Sequence, residues 1–542
     1  MHKCADVRDQ CGDPQRAKHA HAQRRPRPSQ ALWLINLALV VYELLHWSAL
    51  KAKLLKIHPA AWLTTVAALT YAIIFGRLAV THHNNFGTWA WDLGIYDQAF
   101  WLVSRGGQTF MTVRGLDVWG HHINVIAYLF APIYWLGGGA TFLCAFQSLV
   151  LGLGALPVYL LARDRLKNSW MGLLFALAYL MYAPLQWLSW RDFHPEVLAI
   201  TPLLAAWWCA RTCRWVWFYA FICIVLLTRE DTALAVIALG VVLAFSKASA
   251  TRRAGLGTAA AAFVWYLIAT RFILPHFNRG QQAYYIKAFY SNYGTTTIGI
   301  LGHIVTHPQQ LYGDAVQADR LRFYRDLILP FGGLPILAPL QLLVALPQLL
   351  ANAIGLNPYA RMIKFQYTAL LIAPITVAAI NGAARVWHFY PYKSFKTKSL
   401  RAILVLWLVV ASIATNVAWS NSAIGHNPDV WNGESADRTL TMQHAVSLIP
   451  DNVPVTATYT LLPHLTHREN IYDWPVPWID SYWGIDDGYR LPAPETVQWI
   501  AIDRHHVGET EKRLFADLIA PGGAFIVDFD KDDIVVAHRR TN

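Results

Sequence analysis

The sequence predicts an all-α polytopic membrane domain followed by a small C-terminal α/β soluble domain. Of its 542 residues, 55% are hydrophobic and only 14% are charged, whereas about a quarter of a soluble protein is charged. Apolar runs close to the roughly 20 residues needed to cross a bilayer recur from residue 60 to 420. We therefore expect about 10–12 membrane helices within residues 31–420, after a tail at 1–30 and before a soluble domain at 421–542.

The N-terminal tail is strongly basic. Seven Lys or Arg residues lie in the first 27 positions, and the whole chain has a net charge of +12. Ahead of a membrane domain, a basic tail more often sets topology and contacts anionic lipid than binds nucleic acid. We therefore expect residues 1–30 in the cytoplasm and no nucleic-acid partner. Residues 31–50 are apolar but contain Glu43 and His46, which predicts an interfacial or marginal helix.

The positive-inside rule orients the remaining helices. Basic loops near residues 163–167, 211–214, 247–253 and 385–401 are expected on the cytoplasmic side. The spans assigned between them are 60–80, 123–136, 140–162, 169–190, 197–210, 215–227, 232–246, 255–274, 368–386 and 402–419, with a helical hairpin at 327–355. Several of these pieces are shorter than a normal span, which a membrane protein tolerates where broken helices line a cavity.

Four short clusters of ionisable residues interrupt the apolar chain, and the predicted topology places all four at the outer face. They are WDLGIYDQ with Trp91, Asp92 and Asp97, WGHH with His121 and His122, RDFHPE with Asp192, His194 and Glu196, and TRED with Arg229, Glu230 and Asp231. Charged groups at a membrane edge are costly unless paired or solvated, so they mark functional candidates. Their shared side predicts one active site.

Each cluster also has a simpler structural interpretation. Asp92 and Asp97 suit the start of a helix, and the RDFHPE cluster suits a capped helix end with Pro195 in the first turn. The TRED residues suit an ion-pair set within a helix. The two histidines of WGHH suit an interfacial position, although imidazoles beside carboxylates also bind divalent metals. The co-location of the clusters favours the functional interpretation.

These groups suit the transfer of a sugar from a lipid phosphate. Because the leaving phosphate is already a stable anion, the enzyme needs a carboxylate to take the acceptor proton, and cations to hold the phosphate. Asp92 follows Trp91 and offers a carboxylate beside an aromatic surface, while Arg229 offers a cation. The chain has no Walker motif, GxSxG, HExxH or CxxC, so the common soluble chemistries have no support.

The C-terminal region predicts a small α/β unit. Helices are expected at 437–449 and about 508–520, and strands at 453–459, 499–503 and 524–530. The aspartate run that follows predicts a hairpin turn, because it lacks the Gly and Glu of a calcium loop. Between the first two strands, the turn-rich segment LLPHLTHRENIYDWP carries His464 and Arg468. These residues either cover the cavity or contact the acceptor, or they form a solvated loop.

Motifs in a fixed order resemble one protein family. They are DLGIYDQAFW, GHH before APIYWL, LGALPVYLLAR, RDFHPE, TREDTAL, PHF, LAPLQLLVALPQLLAN and PHLTHRENIYDWP. Together, across roughly residues 75–540, they resemble the DUF2079 family of bacterial and archaeal polytopic membrane proteins, which look related to the GT-C glycosyltransferases. The resemblance implies a GT-C-like fold and, by analogy alone, a glycosyltransferase that uses a polyprenyl-phosphate sugar.

The resemblance also implies residue roles. An acidic residue in the first outer loop is commonly the base of GT-C enzymes, and the matching position is Asp92, with Asp97 as second choice. Two positions depart from the family pattern: His121 stands where an acidic residue is usual, and Gln366 precedes Tyr367 where His-Tyr is usual. The catalytic candidates are Asp92, Asp97 and Glu230. The substrate-binding candidates are Trp91, His121, His122, Asp192, His194, Glu196, Arg229, Asp231, His276, Tyr367, His464 and Arg468.

The sequence therefore predicts an inverting, multi-pass glycosyltransferase of the plasma membrane. Its partners would be a polyprenyl-phosphate sugar, membrane lipid and an extracytoplasmic acceptor, either glycan, lipid or protein; its metal requirement stays open, with a divalent metal as the candidate. One alternative is a transporter or flippase of lipid-linked intermediates, whose charges would lie near the membrane midplane on facing broken helices. Another is a non-catalytic membrane scaffold. Charges at helix ends on one side favour the enzyme.

Overall fold

The computed structural model describes residues 57–389, 395–422, 424–425, 435–479 and 492–541. The basic tail and the marginal helix expected at 31–50 lie outside these residues. The described chain is mainly helical and ends in a small sheet, as the sequence predicts.

The membrane domain consists of helices joined by short turns. Its α-helices are α1 Pro59–Asn84, α2 Ile95–Arg105, α3 Val118–His121, α4 Ala127–Trp135, α5 Ala140–Leu153, α6 Ala155–Leu166, α7 Ser169–Leu180, α8 Ala183–Trp190, α9 Ile200–Arg211, α10 Trp215–Thr228, α11 Thr232–Ala244, α12 Ser249–Ile268, α13 Leu274–Phe277, α14 Tyr284–Tyr290, α15 Thr297–Thr306, α16 Pro308–Ala315, α17 Ala318–Ile328, α18 Pro339–Leu342, α19 Leu346–Ile354, α20 Ala369–Trp387 and α21 Phe395–Trp419. A two-stranded ribbon, β1 Phe110–Met111 with β2 Leu116–Asp117, follows α2.

Five helical stretches within the described residues are long and apolar enough to cross a membrane: Pro59–Asn84, Ala140–Leu166, Ser249–Phe277, Gln366–Trp387 and Lys398–Trp419. A sixth is present if α7 and α8, which meet at 52°, count as one broken span. The predicted number of about 10–12 also included shorter pieces. Of these, α10 and α11 are apolar but shorter than a full span, a form that is stable where a helix packs inside a protein or lines a cavity.

The central helix α20 is almost completely buried, which its small residues allow. At Gly382 of this helix, a Cβ would lie 2.0 Å from the carbonyl oxygen of Leu334. Only glycine therefore lets the short 3₁₀ turn Leu334–Leu337 approach this closely. The resulting core joins α1, α6 to α11 and α20 into one packed bundle.

The C-terminal domain is a five-stranded mixed sheet in the order β4-β3-β5-β7-β6. Its elements are α22 Ala436–Ser447, β3 Val455–Ala457, β4 Ile471–Asp473, β5 Trp499–Asp503, α23 Glu509–Ile519, β6 Phe525–Lys531 and β7 Ile534–Arg539. Strand β3 runs parallel to β4 and β5, whereas β7 runs antiparallel to both of its neighbours. Asp532 and Asp533 have φ of 52° and 63° in the turn between β6 and β7, which confirms the predicted hairpin.

The sheet domain packs directly on the membrane domain. A second apolar core contains Leu93 and Phe100 from the segment around α2 together with Leu462, Ile471 and Val536 from the sheet domain. The two parts of the chain therefore share one core, and the WDLGIYDQ segment lies at their junction.

Candidate active site

A cavity of about 880 Å³ lies beside the WDLGIYDQ segment. Its polar lining consists of Trp91, Asp92, Tyr96, Arg114, His121, His122, His194, Arg229, Asp231, Tyr266, Tyr284, Tyr285, Tyr290, Gln348, Asn357, Tyr359, Gln366 and Tyr367. The rest of the wall is mostly apolar and comes largely from α11, α15 and α19, with residues such as Leu234, Ile300, Ile304, Leu350 and Ile354. The lining thus suits a ligand with one charged part and one long apolar part.

A π-helical turn at Ala90–Gly94 presents Asp92 to this cavity. The amide of Gly94 donates to the carbonyl of Trp89 at 3.1 Å, which widens the turn relative to an α-helix. Such single π turns are frequent at functional sites because they change the direction in which a side chain points. Because of the wide turn, the Asp92 side chain points in a different direction from the one it would have if α2 began as a regular α-helix.

Asp92 forms an ion pair with His194. Its Oδ1 lies 3.2 Å from Nε2 of the imidazole, and its side chain keeps 25% exposure. The other ring nitrogen, Nδ1, lies 3.0 Å from the carbonyl oxygen of Asp192, and the amide of His194 donates to Oε1 of Gln147 at 3.0 Å. A protonated imidazole can donate to both oxygens at once, so this geometry fixes the ring toward Asp92.

The charges in this pair are set by burial and by neighbours. Burial favours a higher pKa for Asp92, but His194 and the Arg191 guanidinium outweigh burial and lower the pKa below its usual value. Burial opposes protonation of His194, yet Asp92 raises the pKa of this imidazole to about 9. Burial and the charge of Asp92 raise the pKa of Asp192 to about 8. At neutral pH, Asp92 is therefore ionised, while Asp192 keeps its proton.

Arg229 lies between two carboxylates at the same cavity. Its Nε and Nη2 donate to the two oxygens of Asp231 at 2.7 and 2.6 Å, and its Nη1 donates to Glu196. Burial alone would lower the pKa of Arg229, but Asp231 and Glu196 raise it well above the usual value. The guanidinium is thus held firmly, although its charge is shared by two anions.

Glu230 orients a histidine of the cavity wall. It is completely buried and accepts hydrogen bonds from Nδ1 of His122 at 2.8 Å, the amide of Ile123 at 2.9 Å and the hydroxyl of Tyr285 at 2.9 Å. Burial favours a higher pKa, but His122 and Arg229 lower the pKa of Glu230 to about 2. His122 lines the cavity while Glu230 lies behind it, so this carboxylate acts on the cavity through the imidazole.

Comparison with known proteins places the chain in a family. A family model described as a predicted membrane protein, DUF2079, matches residues 82–535. The chain belongs to the DUF2079 family. This confirms the resemblance seen in the motif order. No curated protein sequence matches the chain.

The fold of this DUF2079 protein is similar to that of a solved membrane protein. The crystal structure of ArnT from Cupriavidus metallidurans bound to undecaprenyl phosphate matches at a TM-score of 0.50 and 12% identity, covering 88% of this chain and 97% of ArnT. The apo oligosaccharyltransferase of Archaeoglobus fulgidus also matches, at a TM-score of 0.39 and 12% identity, over 82% of this chain and 70% of that protein. The ArnT likeness confirms the predicted GT-C-like fold.

Sequence reasoning missed several cavity residues of the DUF2079 protein. Arg114 is fully buried, and its guanidinium stacks 5.0 Å from the Trp91 ring and 4.3 Å from the Tyr284 ring. Tyr284 also stacks on His121, with ring centroids 5.6 Å apart. The available signal was a lone arginine, VRG, in a loop expected outside, and tyrosines just after PHF. Neither forms a charged cluster, which explains why they were overlooked.

Asp97 does not line the cavity. It is buried and bonds instead to Tyr134 Oη at 2.6 Å, Thr466 Oγ1 at 2.5 Å and His467 Nε2 at 3.2 Å. Two of these partners belong to the PHLTHRENIYDWP segment. Asp97 therefore joins α2 to the C-terminal domain, which leaves Asp92 as the carboxylate of WDLGIYDQ that lines the cavity.

The four remaining candidates differ in whether they line the cavity. Tyr367 lines the cavity and accepts a hydrogen bond from Asn357 at 2.9 Å. His276 is exposed and is absent from the cavity lining. His464 stacks on His83, and Arg468 donates from Nε to the carbonyl of Leu465 at 2.6 Å. Because these last two contacts lie within the protein and away from the cavity, they hold the loop in place.

The residues do not assemble a metal site in the part of the chain that the structure describes. There, no three His, Cys, Asp or Glu side chains meet as metal ligands. His122 and His194 each pair with one carboxylate, Glu230 and Asp92 respectively. A structural zinc site takes four protein ligands, so these histidine–carboxylate pairs do not form one.

Proposed function

We propose that this membrane protein is a glycosyltransferase that moves a sugar from a polyprenyl-phosphate donor to an acceptor at the outer face of the plasma membrane. The observation that carries the proposal is the cavity itself, in which an ionised carboxylate, two guanidiniums and a long apolar wall meet. A polyprenyl-phosphate sugar combines an apolar chain, an anionic group and a sugar ring. This combination matches the lining group by group.

The donor would lie with its chain along the apolar wall and its phosphate near the guanidiniums. Arg114 is the first candidate for the phosphate, because its guanidinium lines the cavity between the Trp91 and Tyr284 rings. The fold likeness to ArnT, which was crystallised with undecaprenyl phosphate, supports this ligand class by analogy. Trp91 adds an aromatic face suited to a sugar ring.

Asp92 would act as the base. The acceptor hydroxyl attacks the anomeric carbon from the side opposite the phosphate, its proton passes to Asp92, and the bond between that carbon and the phosphate oxygen breaks. The electron pair leaves with the polyprenyl phosphate, so the anomeric configuration inverts. The His194 imidazolium keeps Asp92 ionised before the reaction. Developing negative charge on the phosphate is stabilised by guanidinium groups.

The proposal assigns a membrane orientation. The segments carrying Asp92, His194 and Glu230 follow the C-terminal ends of α1, α8 and α10. With the basic loops inside, those ends face outward. The N-terminus would then be cytoplasmic, and the domain at 421–542 would lie outside.

A transfer assay tests the proposal. The purified protein in lipid nanodiscs is incubated with a panel of radiolabelled polyprenyl-phosphate sugars and an envelope-lipid extract as acceptor. Wild type should release polyprenyl phosphate from at least one donor. Asp92→Asn should lose about 10²–10⁴-fold in rate and still bind undecaprenyl phosphate. The matched control is Asp117→Asn, whose carboxylate caps α3 away from the cavity, and it should behave as wild type.

The outcomes separate the alternatives. A transporter would carry labelled polyprenyl-phosphate sugar across a liposome bilayer without turnover, and Asp92→Asn would stop that flux. A scaffold would show neither turnover nor flux and would tolerate the substitution. Equal transfer rates in wild type and Asp92→Asn would contradict Asp92 as the base.

A further inference from the structure

The C-terminal domain reaches the cavity through one short hydrogen bond. Nε1 of Trp91 donates to Oδ2 of Asp473 at 2.6 Å, although 382 residues separate the two positions. Asp473 is the last residue of β4, and Trp91 is part of the cavity lining. The bond therefore connects the edge of the sheet to the residue next to Asp92.

The hydrogen bond from Trp91 is the main polar contact of the Asp473 side chain. Its other oxygen, Oδ1, is buried and has no hydrogen-bond partner within the described residues. Burial raises the pKa of Asp473 to about 7, and the bond from Trp91 acts in the opposite direction. A buried carboxylate that faces an indole N–H in this way is costly to keep, so a function for it is worth seeking.

The position of the Trp91 ring in turn restrains the Arg114 guanidinium. The guanidinium stacks 5.0 Å from the indole ring and 4.3 Å from the Tyr284 ring, and all three side chains line the cavity. A cation held against an aromatic face depends on the position of that face. Displacement of Trp91 would therefore displace the guanidinium assigned to the phosphate.

The backbone around this contact is held in register. The amide of Ala90 donates to the carbonyl of Tyr459 at 3.0 Å. The hydroxyl of Thr112 accepts from the amide of Ile471 at 2.8 Å and donates to its carbonyl at 2.6 Å. These bonds tie the Trp91 segment to the residues that follow β3, and the loop of Arg114 to β4. Asp473 thus acts on a rigid frame rather than on a loose loop.

We propose that Asp473 is a positioning residue that holds Trp91, and through it Arg114, in the geometry that binds the donor phosphate. The C-terminal domain then completes the lipid-phosphate site instead of serving only as a separate acceptor domain. The effect on ligand binding rests on the proposed function, whereas the contact itself does not.

Binding of undecaprenyl phosphate tests the proposal. The lipid is titrated into the purified full-length protein in nanodiscs and bound lipid is counted by native mass spectrometry. Asp473→Leu should weaken binding about tenfold, because Trp91 loses its acceptor and about 1.4 kcal/mol corresponds to tenfold. Asp473→Asn retains an acceptor oxygen and should stay within about twofold of wild type. Affinities that are equal for Asp473→Leu and wild type would overturn the proposal.

A matched control separates positioning from general loss of stability. Asp503 is buried in the same sheet and bonds to Arg438 at 2.7 Å and His506 at 2.9 Å, away from the cavity. Asp503→Asn should lower the melting temperature without changing lipid affinity. If it weakens binding as much as Asp473→Leu does, domain destabilisation explains the result and the positioning role is wrong.

A double-mutant cycle tests whether Asp473 acts through Trp91. In a Trp91→Phe background the N–H donor is already gone, so Asp473→Leu should add less than about twofold to the loss of affinity. Additive effects would show that Asp473 acts by another route. Because Trp91→Phe perturbs the contact from the membrane-domain side, the cycle stays informative even if Asp473→Leu folds poorly alone.

A spectroscopic measurement distinguishes failure of this proposal from failure of the proposed function. The protein is labelled with 5-fluorotryptophan, and the Trp91 resonance is assigned from its loss in Trp91→Phe. Asp473→Leu should shift that ¹⁹F resonance, and Asp503→Asn should leave it in place. A shift without lipid binding by wild type would reject the proposed ligand alone, whereas lipid binding without a shift would reject the positioning role.

Discussion

Asp92 and His194 face each other across the cavity edge, with 3.2 Å between the carboxylate and imidazole atoms, although they lie 102 residues apart in the chain. Each group sustains the charge of the other in surroundings that would otherwise neutralise both. The pair therefore holds together the segments that follow α1 and α8. It also prepares the ionised carboxylate that the proposed reaction needs.

The first prediction concerns the pH dependence of stability. The raised pKa of His194, about 9, means that its contribution is complete below the unfolded value of about 6.5. That contribution is lost as pH rises through about 9. Because the pKa of Asp92 is lowered, its carboxylate is protonated only in acid, below the usual aspartate pKa of about 4, and the ion pair is lost only there. The titration of His194 should therefore remove on the order of 2–3 kcal/mol of the unfolding free energy of wild type between pH 6.5 and 9.5, in addition to any loss from Asp192.

His194→Gln provides the reference for this pH profile. Without an ionisable ring, the variant should start less stable at pH 6.5 and show a flatter profile up to pH 9.5. Unfolding in mixed micelles, followed by near-ultraviolet circular dichroism, measures both curves. Parallel curves for the two proteins would contradict a raised pKa at His194.

The second prediction separates the two aspartates of WDLGIYDQ. Asp92→Asn should reduce turnover per folded molecule about 10²–10⁴-fold and also lower the melting temperature, since His194 loses the charge that raises its pKa. Asp97→Asn should lower the melting temperature alone, because Thr466 and His467 lose a charged partner. Turnover per folded molecule should stay near wild type. Large turnover losses in both variants would contradict this division of roles.

The meeting of the four ionisable clusters was predictable from the pattern of charge along the chain. Basic loops alternate with the acidic and histidine clusters, so the positive-inside rule placed WDLG, WGHH, FHPE and TRED at one end of the bundle. The structure joins them by the Asp92–His194, Arg229–Glu196 and His122–Glu230 contacts. Strands β5 and β6 were also predictable, because alternating and β-branched residues mark them locally.

The distinction between Asp92 and Asp97 was not predictable. Five positions apart, they would lie on different faces of any helix, and which face meets the cavity depends on the π turn at Ala90–Gly94. Strand β4 was missed for a related reason, since its three residues lie in a turn-rich stretch and pair in parallel with distant β3. Arg114 lines the cavity between the rings of Trp91 and Tyr284, which are distant from it in the chain. Each feature depends on contacts that local sequence does not encode.

The third prediction concerns the Arg229 group. Arg229→Gln should lower the unfolding free energy by about 3–5 kcal/mol, because it leaves the buried Glu196 without a compensating cation. Adding Glu196→Gln should recover part of that loss, because the unpaired charge is removed. Chemical unfolding of the single and double variants measures the recovery. If the double variant is less stable than Arg229→Gln, then Glu196 stabilises the protein through contacts other than this ion pair.

The fourth prediction concerns docking of the C-terminal domain. Burial disfavours the charged form of His467, but the hydrogen bond and charge of Asp97 raise the pKa of its imidazole. Docking is therefore strongest below the unfolded pKa of about 6.5 and weakens as pH rises through the raised value. Hydrogen exchange in α2 should accelerate over that range in wild type. In His467→Gln it should be fast throughout, and its pH profile, corrected for intrinsic exchange, should be flat.

A surface histidine serves as the control for this docking measurement. His505 also pairs with a carboxylate, Asp533, at 3.0 Å, but both side chains are more than half exposed. Exposed pairs contribute little to stability because water and salt screen them. His505→Gln should therefore leave the exchange of α2 and its pH dependence unchanged. Equal effects from the two substitutions would indicate a general response of the sheet domain to losing a histidine, and the contact between Asp97 and His467 would then have no particular part in docking.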